Sequence, residues 1–281
     1  MGKMKALFLA GLAIGASSAA SAADLLPPPP PLPPAPAPAA DFGGWYIRAD
    51  VGVGALQGDS FRSTLSPDLT SYSQPVLPNQ AFYSNSFASL GDTTFIGAGV
   101  GYQYNSWLRG DLTGEYRNEA TYRRGINYMA FDGSFGPGYD VYNAGLSTAL
   151  FMANAYIDLG CWHGITPYVG GGVGVAAHNF RNLTDTGAGF GYASDTSPAN
   201  FAWALMAGVS LNVTPNLKLD LGYRYLDMGS IHSNPIYTLA PPDFQEVQSF
   251  HVASHDFRLG LRYMFNDGGR AMPVMPLMAK Y

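Results

Sequence analysis

The sequence predicts an all-β fold, an eight-stranded antiparallel up-and-down transmembrane β-barrel. Three observations carry this reading. First, charged residues make up only 12% of the chain against 47% hydrophobic, with a mean hydropathy of +0.00. A soluble domain carries about 25% charge, so a soluble fold would leave apolar surface uncovered here. A helical membrane protein would show runs of about 18 or more apolar residues, and none follows the N-terminal segment. Second, apolar residues alternate with polar or small ones over short stretches. Third, the connections between those stretches alternate between short and long.

Taken in order, residues 1–23 have the pattern of a cleaved signal peptide. Lys3 and Lys5 precede the short apolar run ALFLAGLAIGA, and Ala20-Ser21-Ala22 forms an A-x-A cleavage site. Residues 24–40 form a Pro-rich linker, expected in the periplasm, in which PPPPPLPPAPAP favours extended polyproline II. The barrel is expected over 41–265 and a C-terminal extension over 266–281.

Eight segments repeat with period two, which puts alternate side chains on opposite faces of a strand. In the first, Trp45, Ile47, Ala49, Val51 and Val53 oppose Tyr46, Arg48, Asp50, Gly52 and Gly54. In the second, Ile96, Ala98, Val100 and Tyr102 oppose Phe95, Gly97, Gly99 and Gly101. Leu112 and Tyr116 then oppose Arg109, Asp111, Glu115 and Arg117, and Phe151, Ala153 and Ile157 oppose Asn154, Tyr156 and Asp158. The fifth and sixth segments set Val169, Val173 and Val175 against glycines, and Phe201, Trp203, Leu205 and Val209 against Ala204, Gly208 and Ser210. The last two set Leu219, Leu221 and Tyr223 against Lys218, Asp220 and Arg224, and Phe257, Leu259 and Leu261 against Asp256, Arg258 and Arg262. Each is expected to be about 9–11 residues long, enough to cross a bilayer.

Asn105-Ser106, Gly160–Gly164 and Val213–Asn216 read as tight turns, whereas 56–93, 118–147, 179–199 and 230–253 read as long loops. Outer-membrane barrels have short periplasmic turns and long external loops. An even strand number then places both termini in the periplasm, with the barrel in a bacterial outer membrane. The apolar faces point to lipid, where an Arg at the midplane costs about 2–4 kcal/mol. The opposite faces collect Arg48, Asp50, Arg109, Asp111, Glu115, Arg117, Asp158, Lys218, Asp220, Arg224, Asp256, Arg258 and Arg262, a nearly neutral set. An eight-stranded barrel is narrow enough for side chains to fill, so these charges are expected to pair and plug the lumen.

Other chemistry is sparse. Without Lys3 and Lys5, 13 basic residues face 20 acidic ones, a balance of −7 that argues against nucleic acid as a partner. The single Cys161 excludes an intramolecular disulfide and a metal site built on Cys pairs. Gly97-x-Gly99-x-Gly101 lies within a strand rather than opening a helix, so it is no nucleotide loop. Met272, Met275 and Met278 would share one face of a polyproline segment and offer soft ligands suited to Cu(I), though a disordered tail is the default reading. No cofactor or metal is expected. His178, His232, His251 and His255 fall near the external rim beside Ser and Asp residues, the one hint of hydrolytic chemistry. Loop aromatics (Tyr72, Phe82, Tyr83, Phe87, Tyr128, Phe131, Tyr139, Tyr142) could bind a surface partner or pack the loops together, and the sequence leaves both open.

Several motifs together resemble the small OmpA-like, porin-family outer-membrane barrels of alphaproteobacteria, some described as outer-membrane immunogenic proteins. They are GWYIRADVG, GVGYQYNSWLRGDLTGEYR, ANAYIDLG, ITPYVGGGVG, LKLDLGYRYLDMG and HDFRLGLRYMF, spread over roughly 41–265. The resemblance implies an abundant surface barrel with a role in envelope integrity or interaction, and no catalytic residues. It also implies that the aromatics closing the last strand, Tyr263 and Phe265, signal to the barrel-assembly machinery, although 266–281 follow them here. The expected partners are outer-membrane lipid and lipopolysaccharide, the assembly machinery, and a surface partner through the long loops. The leading expectation is a structural or surface-interaction protein that is not an enzyme. A narrow porin for small solutes and a lipid-modifying hydrolase are the alternatives.

Overall fold

A strand in hydrocarbon has no water to bond its amides and carbonyls, so each edge must find another strand. The computed structural model meets this demand by closure. It describes residues 43–63, 80–130, 138–187, 190–238 and 246–265. The expected signal peptide, Pro-rich linker and C-terminal extension, with its three methionines, lie outside the described residues. So do Tyr72 and Phe131 and the side chains of Phe82, Tyr83 and Tyr128.

The strands are β1 (Gly44–Ser63), β2 (Gln80–Leu90), β3 (Thr93–Gln103), β4 (Leu108–Ala130), β5 (Gly138–Asp158), β6 (Ile165–Thr186), β7 (Phe190–Ala193), β8 (Ala199–Asn212), β9 (Leu217–His232), β10 (Ile236–Thr238) and β11 (Gln248–Met264). Eight of them form an antiparallel ring in the order β1, β3, β4, β5, β6, β8, β9, β11. The ring closes where β11 pairs with β1, in a register that sets Tyr46 opposite Met264 and Val51 opposite Leu259. The remaining strands extend one end. β2 continues the line of β3 along the upper part of β4, while β7 and β10 add a small flap to β6.

Segment lengths differ from the sequence expectation. β4, β5 and β6 have 23, 21 and 22 residues, about twice what a bilayer needs. Much of 56–63, 80–90, 118–130, 138–147 and 179–186, expected as loop, is strand. The reason is a change of phase. In the lower part of β4, Leu112 and Tyr116 face out and Asp111, Glu115 and Arg117 face in; higher up, Thr121 and Arg123 face out and Ala120, Tyr122 and Ile126 are buried. Apolar residues thus point out at one level and in at the next. Between the levels, a register shift at Arg117/Ala120 moves the inward set of β4 from odd to even numbers. β1, β6 and β9 shift parity in the opposite sense, from even to odd, beside residues in the left-handed region, Ser60 (φ 52°), Asn182 (φ 54°) and Gly229 (φ 77°), the last two lying above Phe180, Leu226 and Met228, which already point inward. The left-handed backbone is easy for glycine and tolerable for Asn.

The lower level carries a lipid-facing band. Trp45, Tyr104, Trp107, Tyr263 and Phe265 mark its short-turn side, and Tyr116, Phe151, Phe201, Trp203 and Phe257 mark the other. From Phe265 to Phe257 the strand path is about 26 Å at roughly 3.3 Å per residue, or about 20 Å of height at a strand tilt of roughly 40°, against an apolar band of about 25 Å in outer-membrane barrels. Inside, glycines make room for large neighbours. A Cβ on Gly101 would lie 2.3 Å from the Tyr46 ring.

Candidate functional site

Side chains fill the lumen in four levels, and the charged residues read from the sequence lie in the lower two. Nearest the short turns, Arg262 donates to Asp220 (3.3 Å), Ser210 (2.9 Å) and Gln103 (3.4 Å). Beside it Arg109 pairs with Asp158 at 3.1 Å, and its guanidinium lies over the rings of Tyr156 (4.1 Å) and Tyr168 (4.7 Å). Stacking on aromatic faces suits Arg, which is weakly hydrated and planar.

One level up, Arg48 grips Asp50 through two nitrogens (2.8 and 2.7 Å) and reaches Asp111 (2.8 Å) and the Tyr156 hydroxyl (2.9 Å). Asp111 also accepts from Tyr46 (3.1 Å) and Asn154 (2.8 Å), and Asp50 is shared with Arg258 at 3.1 Å. Across the lumen, Arg224 donates to both oxygens of Glu115 (2.8 and 2.9 Å) and to Asp256 (2.8 Å). Arg117 also pairs with Asp256 and stands 3.8 Å from Glu115. Both Arg117 and Arg224 lie over the Phe95 ring. Asp50, Glu115 and Asp256 each face two guanidinium groups, which offsets the cost of holding a carboxylate away from water. Lys218 is the outlier. It is half-buried at the short-turn edge, in register with Arg262 and Asn212. Tyr263 and Phe265 point outward, their rings 5.6 Å apart.

Above the charges lies an apolar layer that the sequence reading missed, most of it within expected loops. Tyr122 stacks on Phe250 (4.8 Å between centroids) and meets Phe180 edge-on (5.4 Å), and Phe61 stacks on Phe250 (5.7 Å). Leu146, Leu226 and Met228 complete it. A last polar group covers this layer. Glu246 accepts from Ser63 (2.5 Å), Tyr142 (2.9 Å) and Gln248 (2.6 Å), and Arg124 donates to Gln248 (2.5 Å). Tyr142, expected as a loop aromatic, is therefore a buried hydrogen-bonding residue, whereas Phe87 and Tyr139 are exposed. Burial together with Asp140 pushes Glu246 up to about 7; burial, Asp140 and Glu246 push Asp185 up to about 8.

The four histidines separate. His178 is buried inside, bonded to Thr148 (2.9 Å) and the Met228 carbonyl (3.0 Å), and is not a rim residue. His232 is exposed. His255 meets the Tyr223 hydroxyl on the outer wall, and His251 lies between Asp227 and Ser230. Among the described residues no cluster of His, Cys, Asp and Glu has the makings of a metal site.

A closed antiparallel ring with an apolar exterior and a paired polar interior defines an integral membrane β-barrel. Residues 7–265 match the family described as "Outer membrane protein beta-barrel domain", and the chain belongs to that family. It is thus an outer-membrane β-barrel protein of the bacterial envelope. An uncharacterized protein of Brucella suis is 33% identical over 92% of this chain and 97% of its own length. Outer membrane protein PagN of Salmonella typhimurium is 28% identical over 64% of this chain and 78% of its own length. Among solved structures, Neisserial surface protein A is similar over 80% of this chain and all of its own, with 19% identity and a TM-score of 0.42.

Two outcomes follow from the lumen geometry. Arg224→Met leaves Glu115 and Asp256 short of a partner, and the loss should reach about 3–5 kcal/mol, as for one side of a buried ion pair. The urea midpoint of the heat-modifiable gel form measures it, and Glu115→Gln added to Arg224→Met should recover part of the loss. At the upper end, the raised Asp185 and Glu246 contribute full stability below the ordinary carboxylate range near pH 4. That contribution falls as pH rises through about 7 to 8. Hydrogen exchange around Gln248–Val252 should accelerate from pH 6 to pH 9 beyond the intrinsic rate, and Asp185→Asn should flatten that rise.

Proposed function

We propose that this protein is a closed-lumen surface scaffold, which presents a strand-built rim outside the cell and conducts no solute through the barrel. The observation that carries this reading is the filling of the lumen at successive levels by paired charges and then by the Tyr122, Phe180 and Phe250 layer. Strands that run about ten residues past the lipid-facing band give the rim a sheet framework rather than loose loops. Such a frame holds exposed side chains such as Phe190, Tyr192 and Tyr237 in fixed places, which lowers the entropic cost of engaging a partner. The signal-peptide pattern and the short turns support export and termini on the periplasmic side. Lipopolysaccharide and outer-leaflet lipid then surround the band, and Tyr263 and Phe265 serve as the assembly signal.

Planar-bilayer recordings of the purified protein test the closed lumen. Steady, reproducible openings would overturn it in favour of a narrow porin, and their loss in Arg109→Ala or Asp111→Ala would trace the path. Orientation is read from intact cells with a polyethylene-glycol maleimide too large for the outer membrane. Cys161, exposed at a short turn, should stay unlabelled, and His232→Cys in a Cys161→Ser background should label. The opposite pattern reverses the proposed orientation.

A further inference from the structure

On the outer wall, just above the lipid-facing band, β9 and β11 bring together Ser230, His251 and Asp227. Ser230 and His251 are register partners on adjacent antiparallel strands, so their side chains meet on the same face. Ser230 Oγ stands 3.3 Å from His251 Nδ1, and His251 Nε2 stands 3.0 Å from Asp227 Oδ2. With the ring proton on Nε2, donated to the carboxylate, Nδ1 is an acceptor for the serine hydroxyl. Asp227 is held in turn by the Gly229 amide, which donates to its Oδ1 at 3.0 Å. This is the relay that makes a serine nucleophilic: hydroxyl to base, base to an orienting carboxylate. The geometry depends on the bulge. Gly229, at φ 77°, turns Ser230 outward beside Asp227, and the register shift at His251/Ala253 offsets the facing strand. Asn200 donates to the Ser230 carbonyl at 2.7 Å, which brings a second amide N–H close to the serine.

Position selects the substrate. Ser230 is exposed, and the His251 side chain retains 29% of its accessible surface. Below them on the same wall stand His255, Tyr223, Tyr225, Trp203 and Phe257, the aromatic edge of the band. His251 is four residues beyond His255, about 13 Å along the strand. Aromatic belts mark the membrane interface, so the serine stands on the headgroup side of that belt.

We propose that Ser230, His251 and Asp227 form a hydrolytic site for carboxylic esters of the lipid that surrounds the barrel. The Ser230 oxygen adds to the ester carbonyl carbon as its proton passes to His251 Nδ1. The bond from that carbon to the lipid alcohol then breaks, and the alcohol leaves with the proton from His251. Water, deprotonated by His251, adds to the acyl-serine carbonyl, and the Ser230 oxygen leaves with that proton, which releases a free fatty acid. Asp227 stabilises the transient imidazolium. The proposal goes beyond a binding role for the rim and does not depend on it.

The test uses the full-length barrel, purified in detergent and shown to be folded by heat-modifiable migration. Separate mixed micelles of lipopolysaccharide and of phosphatidylethanolamine are the probes, and mass spectrometry of released fatty acid is the readout. Release from one lipid identifies the source of the ester. The wild type should release fatty acid and take up a fluorophosphonate at Ser230. Ser230→Ala, His251→Gln and Asp227→Asn should each lower release by roughly 100-fold or more, and His232→Gln should leave it unchanged. Folded wild type with no release from either lipid overturns the proposal, as does release that persists in Ser230→Ala.

Discussion

Closure is the constraint on which the rest depends. Each backbone group in hydrocarbon must bond to a neighbouring strand, and an open edge would leave a row of groups unbonded at a cost of several kcal/mol each. β1 therefore has to find β11, about two hundred residues away. The register that joins them puts Arg48, Asp50, Asp256, Arg258 and Arg262 on a common inner face. Eight strands leave a lumen that side chains can fill. Once charges are excluded from the lipid face, any charge on a spanning strand must enter that lumen and find its opposite there. The lattice of Arg48, Asp50, Asp111 and Arg258, and that of Glu115, Arg117, Arg224 and Asp256, are consequences of closure as much as contributors to stability.

The lattice stops where the lipid stops. Above the band, water wets the outer wall and accepts Thr121 and Arg123, so the interior is free to be apolar. The barrel behaves at this level like a soluble one, with Tyr122, Phe180 and Phe250 as its core. The two solvents demand opposite patterns from the same strands. The shift in β4 and the bulge at Ser60 accompany that change, whereas in β6 and β9 Phe180, Leu226 and Met228 already point inward below the bulges at Asn182 and Gly229. β-Bulges commonly re-aim side chains in this way.

This boundary explains what could be read from sequence. The ring of eight, its faces, the tight turns and the inward charges were legible because lipid imposes one rule over about ten residues per strand. Lys218 sits where that rule weakens, at the short-turn edge, and it is only half-buried. The upper strands were not legible. In β4 the outward set there is Glu119, Thr121 and Arg123, polar where the lower level is apolar, so Tyr122, Arg124 and Ile126 read as loop. Glu246 and Gln248 follow a stretch rich in proline, and nothing local announces that both end up buried. Of the rim histidines, His178 carried the wrong expectation because the upward run of β6 takes it inside. The pairing of Ser230 with His251 depends on a bulge, and neither partner's sequence neighbourhood encodes that contact.

A filled lumen also decides where chemistry can take place. Asp50, Glu115 and Asp256 are each held by two arginines, and a substrate that drew one away would leave the others buried without partners. The interior is thus committed to stability, and solvent- or lipid-borne ligands can reach only the rim and the outer wall. Within the spanning level that wall is apolar and uniform. Reactive groups first become affordable where polar residues are tolerated and lipid esters are still within reach, which is the narrow zone directly above the aromatic edge. Ser230, His251 and Asp227 occupy that zone, held by the bulge at Gly229.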